Sequence, residues 1–166
     1  MNGILDSGKR REWDTGAVRD ESQGKGRCDL LPLDVIALDE ETGLNRILFH
    51  IDNFIRREGG APELYKALHL FCAEREWAWQ TMLLEVAIHM ENGLAKYPAR
   101  NWERGIPLHS YMDSAVRHYL KWRRGDEDEP HDRAFCWNLL ASLWTLKNRP
   151  EMDDRPEGGD GNGKGL

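Results

Sequence analysis

The densest group of chemistry-bearing side chains is Gly125-Asp-Glu-Asp-Glu-Pro-His-Asp132, an acidic turn next to a His-Asp dipeptide. Carboxylates beside imidazole suit Mg²⁺, Mn²⁺ and similar ions. An ion held there would offset phosphate charge and activate a water. Glu129, His131 and Asp132 are the candidate ligands in this turn. The same acids also suit a helix start, where they favour the macrodipole, and Asp132 falls in a first turn. A second candidate is the run Glu85, His89, Asn92, Lys96, which shares one helical face. Glu85 and His89 could be an i,i+4 metal pair or part of a solvated face with an ion pair. A third is Asp113 with Arg117 one turn on and His118 beside it. That spacing also fits a surface salt bridge, and Asp113 three after Ser110 fits a capping box.

Cations and aromatics gather in Lys96-Tyr-Pro-Ala-Arg-Asn-Trp-Glu-Arg-Gly105. Lys96, Arg100 and Arg104 could hold phosphates. Tyr97 or Trp102 could stack on a base or anchor the loop, and for Trp102 the anchor is favoured. The stripe His131, Asn138, Ser142, Thr145 lies in an otherwise apolar run. Such polar groups must find partners in the core or line a site.

The elements that must position these residues read as helices. Residues 34–57 are helical with a break or bend near Gly43, and Gly59-Gly-Ala-Pro62 is a turn. A second helix covers 62–79, with proline suited to its first turn. A third covers 82–97, with Leu83, Val86, Ala87, Met90, Leu94 and Tyr97 as its buried face. Residues 98–107 are a loop bounded by proline and glycine. A fourth helix covers 108–124, turning Leu108, Met112, Val116, Tyr119 and Leu120 inward. A fifth covers 130–147; it is apolar nearly all round and therefore central. No stretch alternates with period two. The expected fold is all-α: a compact bundle of about five helices over 28–149, an extended N-terminal arm over 1–27, and a disordered glycine-rich tail over 150–166.

The chain carries a net charge of −6 and a pI of about 5.5. This argues against a nucleic-acid polymer or a membrane surface as partner, since both call for a basic face. Locally basic or metal-loaded clefts still admit a small anion. Cys28, Cys72 and Cys136 are odd in number and widely spaced, which fits reduced thiols in a cytoplasmic protein. The longest mostly apolar stretch, 134–146, is too short to span a bilayer.

Several motifs in fixed order carry a resemblance. They are Thr15-Gly-Ala-Val-Arg-Asp20, Gly24-Lys-Gly-Arg-Cys-Asp-Leu-Leu-Pro32, Gly93-Leu-Ala-Lys-Tyr97 and Arg100-Asn-Trp-Glu-Arg-Gly-Ile-Pro107. They continue with Tyr111-Met-Asp-Ser-Ala-Val-Arg-His118 and Gly125-Asp-Glu-Asp-Glu-Pro-His131 with Trp137-Asn138. Together they cover most of the chain apart from about 33–80 and the tail. In this order they resemble the phage and prophage dATP/dGTP diphosphohydrolase family, related to the MazG-like all-α nucleotide pyrophosphohydrolases.

The resemblance implies hydrolysis of a purine deoxynucleoside triphosphate to monophosphate and pyrophosphate. The implied cofactor is a divalent metal: Mg²⁺ or Mn²⁺, with Co²⁺ or Zn²⁺ as alternatives. It moves the stripes above toward function. Glu85, His89, His131 and Asp132 become metal ligands, with Glu129 and Asp113 next in line. Lys96, Arg100, Arg104 and Arg117 offset substrate charge, with Tyr97 and Asn101 beside them. His118 is a base or a substrate contact, and Asp113 joins it as a catalytic candidate. Arg19, Lys25 and Arg27 belong to an arm that packs on the domain, over the nucleotide. The chain departs from the MazG-like acidic ExxE and ExxD metal motifs, offering a mix of histidine and carboxylate. It also has a longer spacer at 33–80. Homo-oligomerisation is compatible with the apolar excess of the last helix. Two rival readings are an HD-type phosphohydrolase, suggested by His89 and His131-Asp132, and a non-catalytic phage interaction protein on a related fold.

Overall fold

The computed structural model describes residues 8–38 and 45–157. The expected break near Gly43 lies outside them. Two short strands, β1 (Arg10–Glu12) and β2 (Val18–Asp20), pair antiparallel with Arg11 opposite Arg19. A 3-10 turn at Cys28–Leu30 leads to a one-turn helix α1 (Leu33–Ile36). The helices that follow are α2 (Asn45–Ile55), α3 (Ala61–Glu74), α4 (Trp79–Gly93), α5 (Leu108–Arg124) and α6 (His131–Asn148). Among the described residues the fold is therefore helical, with the hairpin as its sheet. No helix among them is long and apolar enough to cross a membrane.

The antiparallel pair α5 and α6 forms the spine. α5 stops at Gly125, whose φ of 85° accommodates a left-handed cap. Lys121, Arg123 and Arg124 sit in its last turn, where cations complement the helix dipole. α6 is buried along most of its length, from His131 and Phe135 to Leu143 and Thr145. Most of its apolar side chains thus pack inside the subunit. α2 buries Ile47, Leu48, Ile51 and Phe54, and α3 buries Leu64, Ala67, Leu68 and Phe71. Phe71 meets Trp77, Tyr119, Trp122 and Phe135 edge-on or tilted, which joins α3 to the spine.

The boundaries of α3 and α4 and one face of α4 differ from the sequence reading. α3 ends at Glu74 rather than running to residue 79, because Glu76 takes a left-handed φ of 54° and the Trp77 amide turns back to the Cys72 carbonyl. No glycine or proline marks this stop. α4 consequently begins at Trp79 and ends at Gly93, with turns carrying the chain to Tyr97. It packs chiefly on α6 and buries Met82, Val86 and His89. Leu83, Ala87, Met90 and Leu94, expected inside, are exposed. Apolar residues occur on all sides of α4, so periodicity alone could not select the side that meets α6.

The chain also stays packed beyond Pro150. Arg155 is buried, lies 4.1 Å over the Phe54 ring, donates to the Phe54 carbonyl and pairs with Asp153. Arg57 donates to the carbonyls of Asp153, Arg155 and Pro156. Arg155→Ala should lower stability by about 1.5–3 kcal/mol, the usual range for hydrogen bonds to charged groups. Urea denaturation reads this; an unchanged midpoint would make the segment a passive rider.

Candidate active site

A cleft of about 840 Å³ opens between the hairpin, the C-terminal half of α4, the loop from Leu94 to Ile106, and the faces of α5 and α6. Its size suits a nucleotide-sized ligand. The loop is fixed first. Asn101 is buried and forms two hydrogen bonds with the Val18 backbone, accepting from its N–H at 2.8 Å and donating to its carbonyl at 2.7 Å. The Tyr97 hydroxyl accepts from the Asp20 N–H at 2.9 Å. Thr15 donates to the Gly105 carbonyl, and Arg104 to the Gly16 carbonyl. These contacts clamp the hairpin across one side of the cleft. Burial, then the neighbouring Asp20 carboxylate, pushes the Tyr97 hydroxyl pKa up, so it stays neutral.

Below the clamp, α5 and α6 bring two imidazoles face to face. His118 Nδ1 and His131 Nδ1 are 2.9 Å apart, and Glu129 Oε1 is 3.6 Å from the first and 3.7 Å from the second. His118 and Glu129 line the cleft, while His131 sits behind them. The other ring nitrogen of His131 donates to Asp128 Oδ1 at 2.7 Å, which leaves the Nδ1 lone pair aimed at His118. Lys121 bonds Asp128 at 2.8 Å and, with His131, holds its carboxyl at about 2, firmly ionised. Burial, and after it the facing His131, keeps the His118 pKa well below the ordinary imidazole value. A neutral imidazole, a second one with its lone pair fixed, and a carboxylate are a donor set that can hold a divalent cation. Two imidazole nitrogens on one ion at about 2.0–2.1 Å stand roughly 3 Å apart, which matches the observed separation.

The other candidates divide. His89 lines the cleft, buried, with its Nδ1 unpartnered, but it is not part of this cluster. Glu85 pairs with Arg133 at 2.5 Å and Asp132 with Arg75 at 2.8 Å, so neither joins the imidazoles. Asp113 accepts the Cys28 N–H at 2.7 Å and pairs with Arg117, which ties the 3-10 turn to α5. Arg117 and Lys25 face the cleft. Lys96 is buried against Asp20, Arg100 pairs with Glu103 at the rim, and Arg27 is engaged by Asp29 outside the cleft. Arg104 serves the hairpin through Gly16. Asp128 belongs to the acidic turn, but its bond to His131 could be found only from the folded turn. The polar stripe of α6 serves both ends proposed for it: Ser142 bonds the Asn138 carbonyl in the core, while the Asn138 side chain faces the cleft and accepts from Arg19.

A protein-family model described as dATP/dGTP diphosphohydrolase, N-terminal, matches residues 68–155, more than half of the chain. The chain belongs to this family. The match runs from within α3 through α4, α5 and α6 to Arg155, and so contains the imidazole pair and the packed end of the chain. It leaves out the hairpin that walls the cleft. No curated protein and no solved structure matches the chain.

The buried neutral histidines set a pH dependence for this family member. Burial, then Arg133 and Arg19, lowers the His89 pKa from 6.5 to about 4. Between those values the unfolded chain binds the proton and the folded one does not. Metal-free protein should therefore lose stability as pH falls from 6.5 toward 4, by at most about 1.4 kcal/mol per pH unit for this residue. His89→Gln should flatten the slope in denaturant titrations across that window; an unchanged slope would mean His89 is not the buried neutral group.

Proposed function

We propose that the protein hydrolyses purine deoxynucleoside triphosphates to the monophosphate and pyrophosphate, using a divalent cation held by His118, Glu129 and His131. The observation that carries this is the convergence of those three donors at the floor of a nucleotide-sized cleft. The family description supplies the substrate class. Water adds across the anhydride between the α- and β-phosphates. Its oxygen bonds to phosphorus, the bridging P–O bond to the pyrophosphate breaks, and one proton is released to solvent. The cation supplies Lewis-acid polarisation and a lowered pKa for water.

The chain's own groups do the rest. Asp128 keeps His131 in the tautomer that points Nδ1 inward. His118, neutral through burial, then acts as ligand rather than proton acceptor. Arg117, next to His118 on α5, presents its charge to the phosphates, with Lys25 at the hairpin end of the cleft. The aromatic and apolar side chains of Trp13, Trp102, Ile106 and Trp137 give the base a place away from the charges. Two imidazoles favour Mn²⁺, Co²⁺ or Zn²⁺ over Mg²⁺ as resident ion. The HD-type reading is disfavoured because Asp132 turns to Arg75, so His131 and Asp132 do not act as one unit.

The test is a nucleotide panel with Mg²⁺, Mn²⁺ or Co²⁺, with products separated by chromatography. Monophosphate with pyrophosphate from dATP or dGTP is the expected result, faster with Mn²⁺ or Co²⁺. Nucleoside with triphosphate would replace this reading by the HD-type one, and no turnover by metal-loaded protein would favour a binding protein. His131→Ala should lower turnover by about 100-fold or more, since even outer partners of a metal ligand are worth about 10–100-fold.

A further inference from the structure

The hairpin brings a half-buried charge, that of Arg19, into the cleft with no counter-charge. Residues 18 and 20 use their backbone edge on Asn101 and Tyr97. Arg19, between them, leaves the strand on the opposite face from Val18 and Asp20. Its guanidinium lies 5.0 Å over the Tyr111 ring, and one nitrogen donates to the Asn138 side chain. Among the described residues no carboxylate lies within ion-pair distance of it. The more buried cations near it are compensated, Arg117 by Asp113, Lys96 by Asp20 and Arg133 by Glu85, while Arg11 and Lys25 on the cleft wall are exposed to solvent.

A guanidinium has five N–H donors. Removing such a cation from water without an anion is costly. Burial duly lowers the Arg19 pKa, and Arg117 adds to the effect by like-charge repulsion. Arg117 itself has a buried Nε with no hydrogen-bond partner. Both guanidiniums line the cleft beside His118, which feels the charge of each. Two guanidiniums with unused donors around one space offer an anion a place between them.

We propose that Arg19 and Arg117 form a seat for the phosphate chain of the substrate, next to the His118–Glu129–His131 cluster. The reading rests on the nucleotide substrate above, but the seat itself requires only a polyphosphate. The planar forks bind phosphate oxygens in pairs, and both are half-buried, so each bond is worth more than at a fully exposed surface.

The probe is inorganic tripolyphosphate with metal-free protein, followed by calorimetry and thermal melts. The wild type should bind it and gain stability. Arg19→Gln and Arg19→Met should each weaken binding about 10- to 100-fold, the factor expected for charge-assisted hydrogen bonds. Without the anion, both variants should melt no lower than the wild type, because they remove an uncompensated half-buried charge. A structural strut would behave in the opposite way. Tripolyphosphate affinity within twofold of wild type in either variant overturns the proposal, as does failure of both variants to fold. Tripolyphosphate binding by a wild type that hydrolyses no nucleotide would leave the seat standing and remove the enzymatic reading alone.

Discussion

Two imidazole nitrogens 2.9 Å apart between α5 and α6 set the terms for the whole active region. On His118, burial and the facing His131 ring both oppose a positive charge. Their geometry needs α5 and α6 side by side, with a connecting turn short enough to return Glu129 to the pair. The Gly125 cap provides that reversal, and the ionised Asp128 on the far side of His131 fixes which nitrogen faces inward. The aromatic cluster around Phe71 then holds the spine against α3. Packing, turn geometry and proton placement thus all converge on one pair of rings.

The second constraint is electrostatic. The chain as a whole is acidic, yet cations collect around the cleft, and Lys96, Arg100, Arg117 and Lys121 are tied to carboxylates. This arrangement keeps the cleft accessible to an anion without making the surface basic. It also separates two jobs within one loop. Tyr97 and Asn101, which resemble substrate contacts by sequence position, hold the hairpin by its backbone. The charges that reach the interior come from the hairpin and α5.

Much of this was legible in the residues alone. The last two helices could be read almost to the residue, because Gly125, Pro107 and Pro130 punctuate them and their apolar faces are clear. The acidic turn identified Glu129 and His131, and the Tyr111–His118 motif brought in His118. Spacing failed where a residue's partner comes from another helix. Glu85 and His89 share a face, but Arg133 on α6 claims Glu85; Arg75, at the end of α3, claims Asp132. Spacing likewise failed for α4, whose apolar residues surround the helix and gave no sign that His89 would be buried in place of Leu83 and Met90. The stop at Glu76 had no local signature either, since nothing but the packed turn dictates its left-handed backbone.

The hairpin has a temporal consequence. Two strands of three residues have no stability of their own in water. Their anchors, Asn101, Tyr97 and Asn138, lie 77 to 119 residues further along the chain. Closing loops of that length comes after the local helical contacts have formed. The hairpin therefore settles after the loop and helix that anchor it. Until it does, the rings of α5 and α6 stand open to solvent on one side.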